Sequence, residues 1–317
     1  HGPHAQAGEN PELKIFFFKL CQFLSIPAIF VFVFDGPERP PIKRNTQILS
    51  KRTIWLIPHL KTLIQAFGFH VHDAPGEAEA ELAKLNKRHL IDAVYTSDSD
   101  SLVFGAQLVL RSIDKDNRDD VLVYTADRLE SQNKIQLTQG GLLLVALLVS
   151  GDYDPSGVPD IGIVLARELA QCGYGKDLLQ AVMGAHSEED FNQRLHSWRS
   201  SLLQELRLNS SHRLTSRHPD AVKSIMAVGF PRYEIAQLYA KPQTTDLANC
   251  GSTLLWPPQE PRLQGISEFC SQRFSWTSPV YRHKWFVSVL WKGICRHMMT
   301  SVRYGIPLSL TYILKWI

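Results

Sequence analysis

Acidic residues are spaced along this chain in a way that could hold metal ions. Asp98 and Asp100 stand one residue apart in YTSDSDSLVF, directly after an apolar run. Asp35 closes the run AIFVFVFDG, Glu77 and Glu79 follow Ala-Pro-Gly in APGEAEAELAKL, and Asp152 ends the apolar stretch GLLLVALLVSGDY. If brought together, these carboxylates could not all stay charged unless cations neutralised them. Oxygen donors of this kind suit Mg2+ or Mn2+ rather than zinc. Two such ions about 4 Å apart would activate a water and stabilise the leaving oxygen of a phosphodiester. Singly, each motif has a plainer account. An Asp after a strand is usually a turn or cap residue, SDSDS reads as a turn, and EAEAELAKL reads as a solvated helix of good propensity. Asp35 and Asp98 together, both closing apolar strands, shift the balance toward a divalent-metal site.

Positioning these residues requires a particular scaffold. Residues 12–24 suit an amphipathic helix, and AIFVFVFDG (28–36) suits a strand covered on both faces. GPERPPIKR is a Pro-rich basic loop. Residues 54–68 fit a helix bent at Pro58 and closed by Gly68. FHVHDAPG is a strand and turn. EAEAELAKLNKRH (77–89) is a helix with acids in its first turn and bases in its last, both favoured by the macrodipole. LIDAVYTS is a strand, QLVLRSI and DVLVYTA bracket the DKDNRD turn as a hairpin, and GLLLVALLVSGDY is a buried helix. This alternation predicts an α/β domain with a largely parallel sheet. The C-terminal strand ends of such a sheet share one edge, where ligands bind. Asp35 and the Asp98/Asp100 pair should therefore converge, and Glu77 and Glu79 can both turn inward where a helix begins. After residue 151 strands fade. GVPDIGIVLARELAQCGYG reads as two short helices joined by a Gly/Pro turn, and residues 175–240 are helical. ISEFCSQRF and HKWFVSVLWKGICRHM are further helices, and SVRYGIPLSLTYILKWI reads as the start of another small unit.

Bulk properties narrow the class. An apolar share of 44% over 317 residues gives a folded chain with a real core. Net charge is only +3, but from Phe269 to Ile317 there is no Asp or Glu, while Arg273, Arg282, Lys284, Lys292, Arg296, Arg303 and Lys315 are present. That block suits a polyanion. Five scattered cysteines without Cys-x-x-Cys spacing argue for a reducing compartment and against zinc. The apolar stretch 14–34 is interrupted by Lys19, Gln22 and Pro27, so no membrane span is expected. No signal peptide is visible. The chain does not open on Met, and an upstream piece is expected.

The ordered set VFVFDGPERPPIKR, APGEAEAELAKL, YTSDSDSLVFGAQ and VSGDYDPSGVPDIG resembles the XPG/flap-endonuclease superfamily of structure-specific nucleases, over residues 31–170. PGEAEAELA, FGAQLVLRS and GDYDPSGVPDIG most resemble its Holliday junction resolvase branch, especially the fungal members, as do HAQAGENPEL and EFCSQRFSW. The resemblance implies a PIN-like α/β nuclease core over 1–150 and a helix-two-turn-helix with a helical DNA-binding region over 151–245. A helical extension over 246–317 would lead into an incomplete chromodomain. It implies that Asp35, Glu77, Glu79, Asp98, Asp100 and Asp152 bind two Mg2+ or Mn2+ ions. Lys43, with Lys51 or Arg52, would lie over the scissile phosphate, and Arg44 would join them on DNA. Gly157, Val158 and Gly162 would grip duplex backbone at a helix start, where relatives also hold a monovalent ion, commonly K+. The simpler account of these glycines is turn chemistry alone.

The implied activity is Mg2+-dependent cleavage of branched double-stranded DNA in the nucleus, by a monomer in solution that becomes a homodimer on a junction. Two departures bear on this. Family members begin with a strand carrying a further aspartate upstream of the HAQAG region, so a fragment or truncated paralogue is expected. Ile163 stands where relatives often place Lys. A non-catalytic junction binder and a 5′ flap endonuclease are the alternatives, with a small-molecule phosphatase as a weaker third.

Overall fold

The computed structural model describes residues 10–40, 42–43, 46–47, 51–112, 120–248, 255–304 and 311–315, without the side chains of 42–54 and 300–315. In chain order, α1 (Pro11–Phe23) leads to β1 (Ile29–Phe34), the short β2 (Ile42–Lys43) and β3 (Thr46–Gln47), α2 (Lys51–Ala66), β4 (His70–Asp73) and α3 (Ala78–Lys87). Next come β5 (Ala93–Tyr95), α4 (Asp100–Val103), the hairpin β6 (Leu108–Ser112) and β7 (Val121–Thr125), α5 (Ala126–Ser131) and α6 (Gln139–Leu148). A helical region follows: α7 (Ile163–Gln171), α8 (Tyr174–Gly184), α9 (Glu188–Arg194), α10 (His196–Leu208), α11 (Pro219–Val228) and α12 (Tyr233–Ala240). The chain then forms α13 (Leu263–Arg273), α14 (Pro279–Trp285), a π-helical turn (Phe286–Leu290), α15 (Trp291–Tyr304) and β8 (Thr311–Lys315).

Six strands form one sheet in the order β4-β1-β8-β5-β6-β7. Within this sheet every pairing is parallel except that of β6 with β7, and β2 and β3 form a separate antiparallel pair. Strand β1 shows why the sheet is buried on both faces. Val31 and Val33 join one hydrophobic core with α3, α6 and the helices after it. Phe30, Phe32 and Phe34 join a second core with α1, α2 and α13. Alternate residues of a strand point to opposite faces, so the unbroken apolar run FVFVF serves two cores at once. This is a mixed α/β architecture with helices on both sides of a largely parallel sheet.

Two expectations need correction. Thr311–Lys315 does not begin a separate unit. It inserts between β1 and β5, with Val31 opposite Ile313 and Val94 opposite Ile313 on the other side. The helical extension thus returns a strand to the sheet, and TYILK has the β-branched and aromatic content that strands favour. Secondly, the stretch 157–175 holds one helix before its closing turn, not two. Gly157 and Asp160 both take positive φ, at 58° and 62°, so residues 157–162 form a turn between α6 and α7. A Cβ at Gly157 would lie 2.0 Å from the Val149 carbonyl oxygen, so only glycine fits. The DKDNRD turn at 114–119 lies outside the described residues.

Candidate active site at the carboxylate edge of the sheet

Strands β1, β4, β5 and β8 run parallel, so their C-terminal ends meet along one edge. At the end of β1, the chain is zipped to the turn before α3. Ala74 N–H donates to Phe34 O at 2.9 Å, Gly36 N–H to Gly76 O at 2.7 Å, and Glu38 N–H to Pro75 O at 2.9 Å. Gly36 permits this approach, since a Cβ there would stand 1.8 Å from Ala74 O.

Asp35 emerges from that zipped edge and caps α3 from a distance. The N-cap residue Glu77 is extended (φ −84°, ψ 139°) and does not cap its own helix. Instead the Ala78 amide donates to Asp35 Oδ1 at 2.8 Å. An acid at this point satisfies an orphan amide and meets the positive end of the helix dipole. The other carboxylate oxygen, Oδ2, is met by Arg39 Nη1 at 2.9 Å.

Glu77 and Glu79 enter the same helix start and are 3% and 0% exposed. Tyr153 donates its hydroxyl proton to Glu77 Oε2. Tyr153 packs on Tyr239 with ring centroids 4.5 Å apart, and the Tyr239 hydroxyl accepts the Asp152 amide at 3.1 Å. Asp152 is itself 8% exposed. One chain of contacts thus runs from Asp35 through α3 to Asp152.

Asp98 and Asp100 form a second group, at the end of β5. Thr96 Oγ1 accepts the Asp98 amide at 3.0 Å, and Asp98 Oδ1 accepts the Asp100 amide at 3.0 Å. The first serves as a local turn acceptor and the second opens α4. Both are half-buried. The expected convergence is partial. β8 intervenes between β1 and β5, so the two groups share an edge two strand spacings apart, about 10 Å. Phe104, just past α4, packs on Tyr239 with centroids 5.9 Å apart, which joins the second group to the first.

Among the described residues, no three carboxylate, histidine or cysteine groups stand close enough to hold one ion. The donor chemistry still fits a hard divalent cation. All donors are carboxylate oxygens, and two of the acids are almost wholly removed from water, where negative charge is costly to hold. Glu77, Glu79 and Asp152 with Asp35 would supply one side of such a site, and Asp98 with Asp100 the other.

Of the expected DNA contacts, Gly157, Val158 and Gly162 lie on the α6–α7 turn. Val158 is buried, and its amide donates to Leu148 O at 2.8 Å, which fixes the turn. Gly157 and Val158 line a cavity of about 210 Å³ with Asp154 and Arg232, which form an ion pair. Gly162 is the N-cap of α7 with open space around it, and Ile163 is 59% exposed just beyond it. Lys43 falls in β2, and Lys51 and Arg52 open α2. Their side chains, and Arg44 altogether, lie outside the described residues.

Sequence reasoning assigned no role to Arg39, Tyr153 or Tyr239. Arg39 carried a signal, four residues after Asp35 in a tight loop, and Tyr153 stood next to Asp152. Tyr239 carried none, since it reaches the site from 87 residues away.

Comparison with known proteins agrees with this architecture. The XPG I-region matches residues 68–152. Flap endonuclease GEN homolog 1 of Mus musculus is 31% identical over 193 residues, covering 54% of this chain and 21% of that protein. The chain thus spans about a fifth of that curated relative. Among solved structures, a eukaryotic junction-resolving enzyme GEN-1 binding with potassium superposes with a TM-score of 0.76 at 30% identity, covering 94% of this chain and 68% of that one. The Holliday junction-resolving enzyme GEN1 in complex with product DNA and Mg2+ ion gives 0.73 at 30% identity, covering 92% and 68%. With the same helix-flanked parallel sheet and the acidic motifs at its edge, the chain belongs to the XPG/flap-endonuclease superfamily of structure-specific nucleases.

Proposed function

We propose that this chain carries the nuclease portion of a divalent-metal-dependent endonuclease that hydrolyses phosphodiesters in branched DNA, foremost four-way junctions, in the nucleus. The observation that carries this reading is the tie between Asp35 and the start of α3. It holds Asp35, Glu77 and Glu79 at the sheet edge that also carries Asp98 and Asp100. A bound Mg2+ or Mn2+ pair supplies an activated water and charge for the leaving oxygen. The protein's own part is to hold the acids. Ala78 orients Asp35, Tyr153 orients Glu77, and the Tyr239 hydroxyl fixes the backbone beside Asp152. The α7 start, with Gly162 and its open approach, would bind a duplex phosphate through backbone amides, with a monovalent ion such as K+ at the preceding turn. Two copies on one junction, a homodimer, would make paired cuts.

The test is cleavage of an end-labelled four-way junction in Mg2+, with Asp98→Asn/Asp100→Asn and an EDTA arm as controls. Paired cuts near the branch support the reading. Cutting of a 5′ flap with junctions left intact assigns a flap nuclease instead. Tight junction binding in EDTA, with steep salt dependence and no cutting in any divalent ion, assigns a binding protein.

A further inference from the structure

We propose that Arg39 is an exchangeable counter-ion: it holds Asp35 while no divalent ion is bound, and passes to a DNA phosphate once an ion takes that carboxylate. The inference rests on the metal-dependent reading above. Asp35 has two carboxylate oxygens. Oδ1 accepts the Ala78 amide at 2.8 Å and Oδ2 accepts from Arg39 Nη1 at 2.9 Å, so an ion on this carboxylate comes close to the guanidinium, and closest on Oδ2. A divalent cation on Oδ2 would stand within a few ångströms of the guanidinium, and two positive charges at that range repel strongly in a half-buried site. Arg39 must then leave.

The loop is built so that only the side chain needs to move. Backbone hydrogen bonds from Gly36 and Glu38 fasten the preceding residues to Gly76 and Pro75. The Arg39 side chain is 15% exposed, so part of it already reaches solvent. A guanidinium fork matches a phosphate better than it matches one carboxylate oxygen. Metal loading would thus hand a positive charge to the substrate, and binding of metal and DNA would be coupled through one residue.

Two measurements test this without reading cleavage. Mn2+ binding to the protein alone is followed by electron paramagnetic resonance. Removing the competing charge in Arg39→Gln should tighten Mn2+ by about tenfold, which is roughly 1.4 kcal/mol. Arg39→Lys keeps the charge and should stay within about threefold of wild type. Binding of a fluorescent junction is then measured in Ca2+ and in EDTA at fixed salt. Arg39→Gln should weaken it about tenfold in Ca2+ and leave it unchanged in EDTA. Asp35→Asn, which releases the arginine, should strengthen junction binding in EDTA, and this arm does not depend on how the Arg39 variants fold. Opposite signs for Mn2+ and DNA in one variant are the signature; a merely structural role would weaken both. Unchanged Mn2+ affinity in Arg39→Gln, or equal DNA losses in Ca2+ and EDTA, overturns the proposal and leaves the nuclease reading standing. Wild-type protein that binds no Mn2+ overturns both.

Discussion

Two acids flank the start of α3, and they are held in different ways. Glu81 is fully buried. His72 of β4 meets its Oε1 at 2.9 Å, and the Thr245 amide donates to Oε2 at 2.8 Å. Lys84, one turn on, donates to Thr244 Oγ1 at 3.0 Å and to Thr245 O at 2.8 Å. A strap from beyond α12 is thereby fastened across the helix. Burial pushes the Glu81 carboxyl up, but hydrogen bonds from His72 and Thr245 outweigh it and hold the group below the ordinary glutamate range. Asp35 is 24% exposed, and one of its two partners is the Arg39 side chain, itself 15% exposed. The lesson lies in where the donors come from. An acid met by a backbone amide of a packed strap is part of the fold. Asp35 also accepts a backbone amide, but its other oxygen rests on a side-chain cation, the contact proposed above to exchange. Within EAEAE, the sequence repeats one residue type for two purposes.

The largest effect should come from the acids on the site side of this contrast. Asp98→Asn with Asp100→Asn should lower single-turnover junction cleavage by at least about 10³, roughly 4 kcal/mol of transition-state stabilisation. Stability should stay within about 0.5 kcal/mol, because an amide side chain at 98 still offers an oxygen to the residue-100 N–H. Retained cleavage would remove the pair from the chemistry and return it to turn formation.

Glu81→Ala should do the reverse. It leaves His72 and the Thr245 amide without their acceptor in the interior, at about 2 kcal/mol of unfolding free energy in a urea titration. Cleavage per folded molecule should stay within about twofold, the range expected when no transition-state contact is lost. A collapse in cleavage with unchanged stability would place Glu81 in the active site and erase the comparison.

The same clasp predicts a pH dependence with a definite sign. Glu81 has a depressed native value, so the native state holds its proton less tightly than the unfolded chain does. Its stabilisation is fully present above the ordinary glutamate value of about 4.3 and is lost as pH falls through the lower native value. The difference in urea midpoint between wild type and Glu81→Gln should therefore be constant above that pH and shrink below it. A difference that instead grew in acid would contradict the assigned direction.

How much of this was legible in the sequence depends on distance along the chain. The FVFVF strand, the hairpin and the α3 helix follow from local periodicity, which needs only neighbours at two or four residues. The acidic motifs were visible because each closes or opens such an element. What was hidden came from far away. TYILK gave no sign that it would pair with β1, because a slot between two strands is a property of the assembled sheet. Its insertion is also why Asp35 and Asp98 share an edge without touching. The strap on Glu81 reaches across 164 residues, and nothing in DLANC or KPQTTD announces an amide aimed at a buried acid. Arg39 lies between these cases. Its four-residue spacing from Asp35 was present, but a loop has no fixed pitch to turn that spacing into a contact.

The smallest expected effect falls on Tyr239, which touches both kinds of region. Its ring packs among Tyr153 and Phe104, as a core residue does, while its hydroxyl accepts the Asp152 amide. Tyr239→Phe keeps the ring and removes the hydroxyl that accepts the buried Asp152 amide. The cost should be about 1 kcal/mol in urea unfolding. If that hydrogen bond also aims Asp152, the Mg2+ concentration for half-maximal cleavage should rise about threefold, a shift of under 1 kcal/mol. The rate at saturating Mg2+ should recover, because Asp152 itself is intact. A loss of stability with an unchanged Mg2+ requirement would confine Tyr239 to the core and leave Asp152 positioned by its own turn. A rate that stays low at saturating Mg2+ would mean that the hydroxyl acts on the reacting groups themselves rather than through the acid beside them.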